Sequence, residues 1–192
     1  MPENTFLVGY GTLLHQGSLG NTIGQDSAGA KRIVPVVVSG YRRLFNLRPT
    51  HYESSAKFSD AGIEDAAMNV ERADGAQFNA LAFSVTAQEL ADLDERERYY
   101  SRESSELIEF GTGASLGEGH FYVGDDPYLE SDPEKLMPLW RDIVWARSGA
   151  YRVGEEFGAM YDATTYLADG RTLMIDVYRD LLKDTSDVEM PG

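Results

Sequence analysis

The sequence predicts an α+β protein, and three observations carry that reading. Short β-patterned runs fill residues 5–125, a helical period replaces them from Asp132 onward, and the two kinds of segment do not alternate as a doubly wound sheet requires. At 192 residues one domain is expected, long enough to bury roughly 70% of its unfolded surface without staples.

The elements follow in order. Residues 5–10 form a β-run that stops at Gly11. Residues 31–39 set Ile33 and Val37 against Val34, Val36 and Val38, and Pro35 among them suggests an edge or bulge position. Residues 46–62 are polar and patternless, which predicts a long loop. Residues 68–70 and 78–85 read as strands joined through Ala73-Asp74-Gly75, because Asp-Gly favours a tight hairpin. Within the second run Leu81, Phe83 and Val85 share one face, opposite Ala80 and Ala82. Thr86-Ala87-Gln88-Glu89 fits a capping box and opens a helix toward residue 100. Residues 106–110 and 120–123 make a further strand pair across a glycine-rich connection. Asp132-Pro133 offers an N-cap followed by proline at the first helical position, predicting a helix to about Arg147. A second helix is expected over 153–161 and a frayed tail over 184–192.

Composition excludes several classes of function. With 17 Lys+Arg against 32 Asp+Glu the net charge is −15 and the isoelectric point is near 4.5. Phosphate backbones and anionic lipid both call for clustered cations, so neither nucleic acid nor a membrane is an expected partner. The chain has no cysteine, which removes disulfides, zinc thiolates and thiol nucleophiles. His15, His51 and His120 lie far apart without metal-ligand spacing, so no metal or cofactor is expected. The N-terminal apolar stretch lacks a basic flank and is cut by Gly9 and Gly11, and no run approaches the ~20 apolar residues of a membrane helix. A soluble, cytoplasmic protein is the expectation.

Two stretches carry candidate chemistry. On the capped helix, Leu90, Leu93, Glu97 and Tyr100 fall on one stripe at 3.6-residue spacing, so Glu97 is a carboxylate between apolar neighbours. Desolvation there raises its pKa toward that of a useful general base; pairing with Arg96 or Arg102, or simple solvation, is the structural alternative. Asp92, Asp94 and Glu95 are expected on a solvated face. Near the N-terminus a strand runs into Gly9-Tyr10-Gly11, whose glycines allow close backbone approach and whose amides can form an anion nest, or a plain tight turn. Leu14 stands where a dinucleotide fingerprint needs its third glycine.

The strand followed by Tyr10-Gly11-Thr12-Leu13, with a later strand ending in a helix that bears Leu93-Asp94-Glu95-Arg96-Glu97, resembles the gamma-glutamylcyclotransferase-like superfamily over residues 5–125. That resemblance implies a small mixed β-barrel with flanking helices, to which this chain adds a helical C-terminal extension. It implies conversion of a gamma-glutamyl amine or peptide into 5-oxoproline and a free amine, with Glu97 as general acid/base. Tyr10, Gly11, Thr12 and Leu13 would hold the glutamyl group through backbone amides, and Tyr100 would line the pocket. Thr12 replaces the family's usual serine but keeps the hydroxyl, and Arg98 stands where glycine commonly follows the catalytic glutamate. The chemistry agrees: one carboxylate can remove a proton from the α-ammonium and later deliver it to the leaving amine, and the attack is intramolecular.

Other readings attach to particular residues. Gly113-Ala114-Ser115-Leu116-Gly117 matches the nucleophile-elbow pattern of serine hydrolases, but the following residues read as a strand instead of the helix that elbow needs. A non-catalytic binding scaffold is the second alternative, and Glu97, a costly carboxylate on an apolar stripe at the matching position, is what favours an enzyme over it. The expected organisation is a barrel at 1–130 and a helical extension at 131–192 packed on the same domain. In that extension Trp140, Ile143, Val144 and Arg147 share helical spacing, for core packing or for a homodimer face. Arg42, Arg43 and Arg48 are the cations that could balance an anionic substrate.

Overall fold

A computed structural model describes residues 5–15, 18, 33–48, 62–97 and 100–183. Five strands close a mixed barrel: β1 (Thr5–Gly9), β2 (Ile33–Leu47), β3 (Glu64–Val85), β4 (Tyr100–Glu109) and β5 (Ser115–Gly124), in the cyclic order β3-β1-β5-β4-β2. Only β1 and β5 run parallel within that ring, so the chain reaches β5 after most of the barrel is laid down. Two short strands extend the sheet, β6 (Leu136–Pro138) along β3 and β7 (Thr165–Leu167) along β2, both parallel. Four α-helices accompany them among the described residues: α1 (Ala87–Arg96), α2 (Trp140–Val153), α3 (Glu155–Ala163) and α4 (Met174–Leu182).

Alternation along the strands builds three apolar clusters. One face supplies Val8, Val36, Val38, Phe78, Ala80, Ala82, Leu107 and Phe121 to the interior of the barrel. There Phe78 meets Tyr10 and Phe121 edge-on, with ring centroids 6.0 and 6.4 Å apart, a preferred aromatic geometry. Phe45, Ala66 and Leu81 instead join Ile143, Val144, Phe157, Tyr161 and Met174, so α2, α3 and α4 cover one outer side of the barrel. A third cluster, Leu7, Phe83, Val85 and Leu93, seats α1.

Several expectations are corrected. Asp74-Gly75 makes no hairpin: β3 is continuous, and residues 73–76 form a bulge, with Ser39 opposite Gln77 but Tyr41 already opposite Arg72. Gly75 keeps a positive φ of 77° there, so the local turn chemistry is real while the pairing partner is β2. Pro35 lies inside a strand paired on both sides, and its carbonyl accepts the Phe110 N–H at 2.9 Å. Asn46 and Leu47 belong to β2 and not to a loop; residues 49–61 lie outside the described residues. The glycine-rich connection is a shorter turn, because β5 begins at Ser115. Asp132-Pro133 opens a turn and not a helix; residues 136–138 add to the sheet beside β3 and α2 starts only at Trp140. Sheet pairing there overrides a good local cap signal. The second helix runs Glu155–Ala163, two residues later than expected at each end, and the 184–192 tail lies outside the described residues.

Candidate active site

Thr86 and Glu89 form the expected capping box: the Thr86 hydroxyl accepts the Glu89 N–H and the Glu89 carboxylate accepts the Thr86 N–H at 2.8 Å. The helix so started ends at Arg96. Glu97 is its C-cap, with its N–H donating to the Leu93 carbonyl and its own carbonyl accepting the Tyr100 N–H, both at 2.8 Å. Glu97 is therefore fixed at a helix-to-strand junction and is half-buried. Tyr100 is not on the helical stripe; it is the first residue of β4.

The second half of the site comes from β1. After Gly9 the chain turns through a 3₁₀ helix at Thr12–Leu14, with the Leu14 N–H donating to the Gly11 carbonyl at 3.0 Å. Gly9 is required, since a side chain there would place its Cβ 2.6 Å from the Leu13 Cβ. Gly11 has more room, its nearest neighbour being the Met68 sulfur at 3.5 Å. The Tyr10 ring plugs the barrel mouth and its hydroxyl donates to the Tyr122 carbonyl at 2.7 Å. Burial pushes that phenol well above its ordinary value, with the Tyr100 and Glu97 charges adding to the shift.

These pieces meet in one cleft of about 580 Å³, which is lined by Tyr10, Gly11, Thr12, Leu13, Glu97 and Tyr100. All six residues singled out from the sequence thus share a wall, although they are separated by 87 positions between Tyr10 and Glu97. Tyr122 faces the same space. Its hydroxyl donates to Asp94 at 2.8 Å, and Asp94 also takes the Arg102 guanidinium at 2.6 Å. Burial first, then that bond to Asp94, raise the Tyr122 phenol, so it stays protonated. Asp94 is consequently not a member of a merely solvated acidic face.

The opposite wall was not read from sequence. Arg141, Asp142 and Trp145 of α2 line the cleft, with the Arg141 guanidinium 5.0 Å from the Trp145 ring centroid and its Nε donating to Asp142 at 3.3 Å. Burial raises the Asp142 carboxyl. Trp140, expected in the core, is 44% exposed, whereas Ile143 and Val144 are buried and Arg147 pairs with Asp162 of α3. Helical spacing could show that α2 has an apolar side, but not that its first turn faces the Glu97 loop.

The other candidates fall elsewhere. Ser115 begins β5 and donates its hydroxyl to Glu106 at 2.7 Å; no helix follows it, so the nucleophile elbow is absent. His15 is buried and accepts Arg152 Nη1 at 2.8 Å, His120 lies within β5, and His51 is outside the described residues. Arg42 pairs with Glu71, and Arg48 with Glu64 and Glu130, away from the cleft. Arg98 is outside the described residues. Among the described residues no group of three or more His, Asp or Glu is placed to hold a metal ion, and no helix is long and apolar enough to cross a membrane.

No family model and no curated protein matches the sequence. Solved structures do match the fold. One described as a gamma-glutamyl cyclotransferase aligns over 84% of this chain and 88% of its own, with TM-score 0.63 and 13% identity. An uncharacterized protein from Homo sapiens, loc79017, aligns over 99% of this chain and 92% of its own, with TM-score 0.61 and 13% identity. YkqA from Bacillus subtilis aligns over 82% of this chain but 52% of its own, with TM-score 0.59 and 14% identity.

Proposed function

We propose that this chain, which has the gamma-glutamylcyclotransferase-like fold, cleaves a gamma-glutamyl amine or peptide by intramolecular cyclisation. The observation that carries the reading is the meeting of the Glu97 carboxylate and the Tyr10–Leu13 backbone in one cleft. The glutamyl group lies along that backbone with its α-nitrogen toward Glu97. The carboxylate takes a proton from the α-ammonium, the freed nitrogen attacks the γ-carbonyl carbon, and the five-membered ring closes. Glu97 then returns the proton to the departing nitrogen as its bond to carbon breaks, and the ring nitrogen gives up its second surplus proton, which leaves with the released amine as its ammonium. The products are 5-oxoproline and the free amine, and no water is consumed. The attack is within one molecule, and holding the glutamyl chain folded keeps its nitrogen in a near-attack geometry, which supplies much of the acceleration. Backbone amides aimed at the developing oxyanion stabilise the tetrahedral intermediate.

Tyr100 and Tyr122 shape the pocket beside Glu97, and α2 supplies the wall that the departing amine meets. The substrate is a small molecule; no cofactor takes part in the proposed steps. The test is 5-oxoproline release from a panel of gamma-glutamyl amino acids, gamma-glutamyl amines and glutathione, comparing wild type with Glu97→Gln. Release by wild type and loss of about 100-fold or more in the variant, at unchanged melting temperature, is expected for a removed acid/base. Equal release by both overturns the role of Glu97.

A further inference from the structure

Arg43 is completely buried, yet its acceptors are neutral throughout. Nε donates to the Thr165 hydroxyl at 2.9 Å, Nη2 to Asn79 Oδ1, the Thr164 hydroxyl and the Tyr161 carbonyl, and Nη1 to the Asn79 carbonyl at 2.7 Å. The Tyr161 ring lies 4.0 Å from the guanidinium carbon. Burial lowers this guanidinium to about 10, with Tyr161 and Asp162 partly opposing the shift, so it stays charged at neutral pH. A buried cation is costly unless its donors are satisfied. A fold that needed only to fill this space would do so with an apolar side chain. One contact remains: Nη1 also donates to the carbonyl of Tyr10, at 3.3 Å.

That carbonyl shares a peptide unit with the Gly11 N–H. The chain has no cis peptide bond among the described residues, so the C=O and N–H of this unit point in opposite directions. Arg43 and Asn79 lie on the β3 side of β1, which sits between β3 and β5 in the barrel. With the carbonyl held toward Arg43, the Gly11 N–H faces the other way, and Gly11 lines the same cleft as Tyr122 and Glu97. A cation on the carbonyl also draws electron density through the amide and strengthens the N–H as a donor.

We infer that Arg43 is a positioning residue, which by gripping the Tyr10 carbonyl from behind turns the Gly11 N–H into the cleft to receive an oxygen of the glutamyl group. This rests on the cyclotransferase reading of the cleft. Arg43 touches no substrate; it acts through one peptide plane. The same grip ties the substrate loop to β3, to β7 and to the end of α3, so the loop is held by the extension as well as by the barrel.

The experiment is an NMR titration of uniformly ¹⁵N-labelled full-length protein with 5-oxoproline, following the amides of Gly11, Thr12 and Tyr100. All three are expected to move, with the Gly11 proton going downfield. Arg43→Lys keeps the charge but cannot span these acceptors, and is expected to cut the Gly11 shift at saturation by at least half while Tyr100 still responds. Movement of Thr12 and Tyr100 without Gly11 overturns the inference and leaves the cyclotransferase reading standing. A full-sized Gly11 shift in Arg43→Lys overturns it too, since Arg43 would then be merely structural. No movement of any of the three at saturating concentration overturns the cyclotransferase reading itself. Where Arg43→Lys does not fold, Thr165→Val removes the acceptor of Nε at constant shape; an undiminished Gly11 shift there overturns the inference equally. Repeating the titration with 2-pyrrolidinone assigns the bonded oxygen: a retained shift names the former γ-carbonyl, a lost one the α-carboxylate.

Discussion

Gly149 of α2 lies directly against the carbonyl of Leu14: a methyl group at Gly149 would stand 2.5 Å from that oxygen and 2.8 Å from the His15 nitrogen. The turn that follows β1 and the long helix α2 are therefore packed backbone to backbone. No flexible side chain intervenes to absorb a change.

Gly149→Ala is accordingly expected to force the two elements apart. The cost is about 1–3 kcal/mol, as for other insertions into close-packed interiors, and it should appear as a lower urea midpoint with an unchanged slope. Because the loop moves with the helix, 5-oxoproline release is expected to fall further than stability does. Ala at Gly40, which has a positive φ of 82° and nothing near its missing side chain, is the control for backbone strain alone.

Arg147 and Asp162 hold α2 to α3 through a two-pronged contact, with both bonds at 2.9 Å and both side chains 13% exposed, and the Tyr151 hydroxyl donating to the same carboxylate at 2.8 Å. Asp162→Ala leaves a largely buried guanidinium uncompensated and should cost about 3–5 kcal/mol. The double replacement Arg147→Met with Asp162→Leu is expected to recover most of that loss. A double-mutant cycle on denaturation midpoints checks both statements. Additive single losses would show that the pair is not coupled.

His15 accepts from Arg152, and burial, with the Arg152 charge adding to it, lowers the imidazole below its ordinary value. The unfolded chain then takes up a proton at higher pH than the folded one does. Stability is constant above the unfolded value of about 6.5 and falls as pH drops below it, levelling off once the folded imidazole is itself protonated. His15→Gln is expected to flatten this part of the curve. Thermal melts between pH 5 and 8, wild type beside variant, give the comparison.

What could be read from the chain was local. Thr86 and Glu89 satisfy each other within one turn of helix, so their spacing alone located the start of α1. Tyr10–Leu13 and Glu97 were singled out through the family resemblance that their two stretches carry together, and one cleft is lined by both. Features set by distant partners were not legible. Asp74-Gly75 has the chemistry of a hairpin, but β2 supplies a partner along the whole of β3 and turns the same residues into a bulge. Asp132-Pro133 resembles a helix start, yet residues 136–138 gain more from pairing with β3 than from a helical turn. Asp94 looked solvated because Tyr122, 28 positions away, could not be foreseen beside it. Arg43, one of three arginines that could balance an anionic substrate, proves to be fully enclosed.

The apolar cover that α2, α3 and α4 lay over Phe45, Ala66 and Leu81 has a consequence for how the molecule is made. A ribosome adding about 5–20 residues per second completes all five barrel strands before α2, α3 and α4 emerge. During that interval the nascent barrel presents a greasy flank to the cell, with its partner helices still inside the exit tunnel. Chains stalled once β5 has cleared the tunnel, with α2, α3 and α4 still inside it, should therefore aggregate where chains that have released the three helices do not.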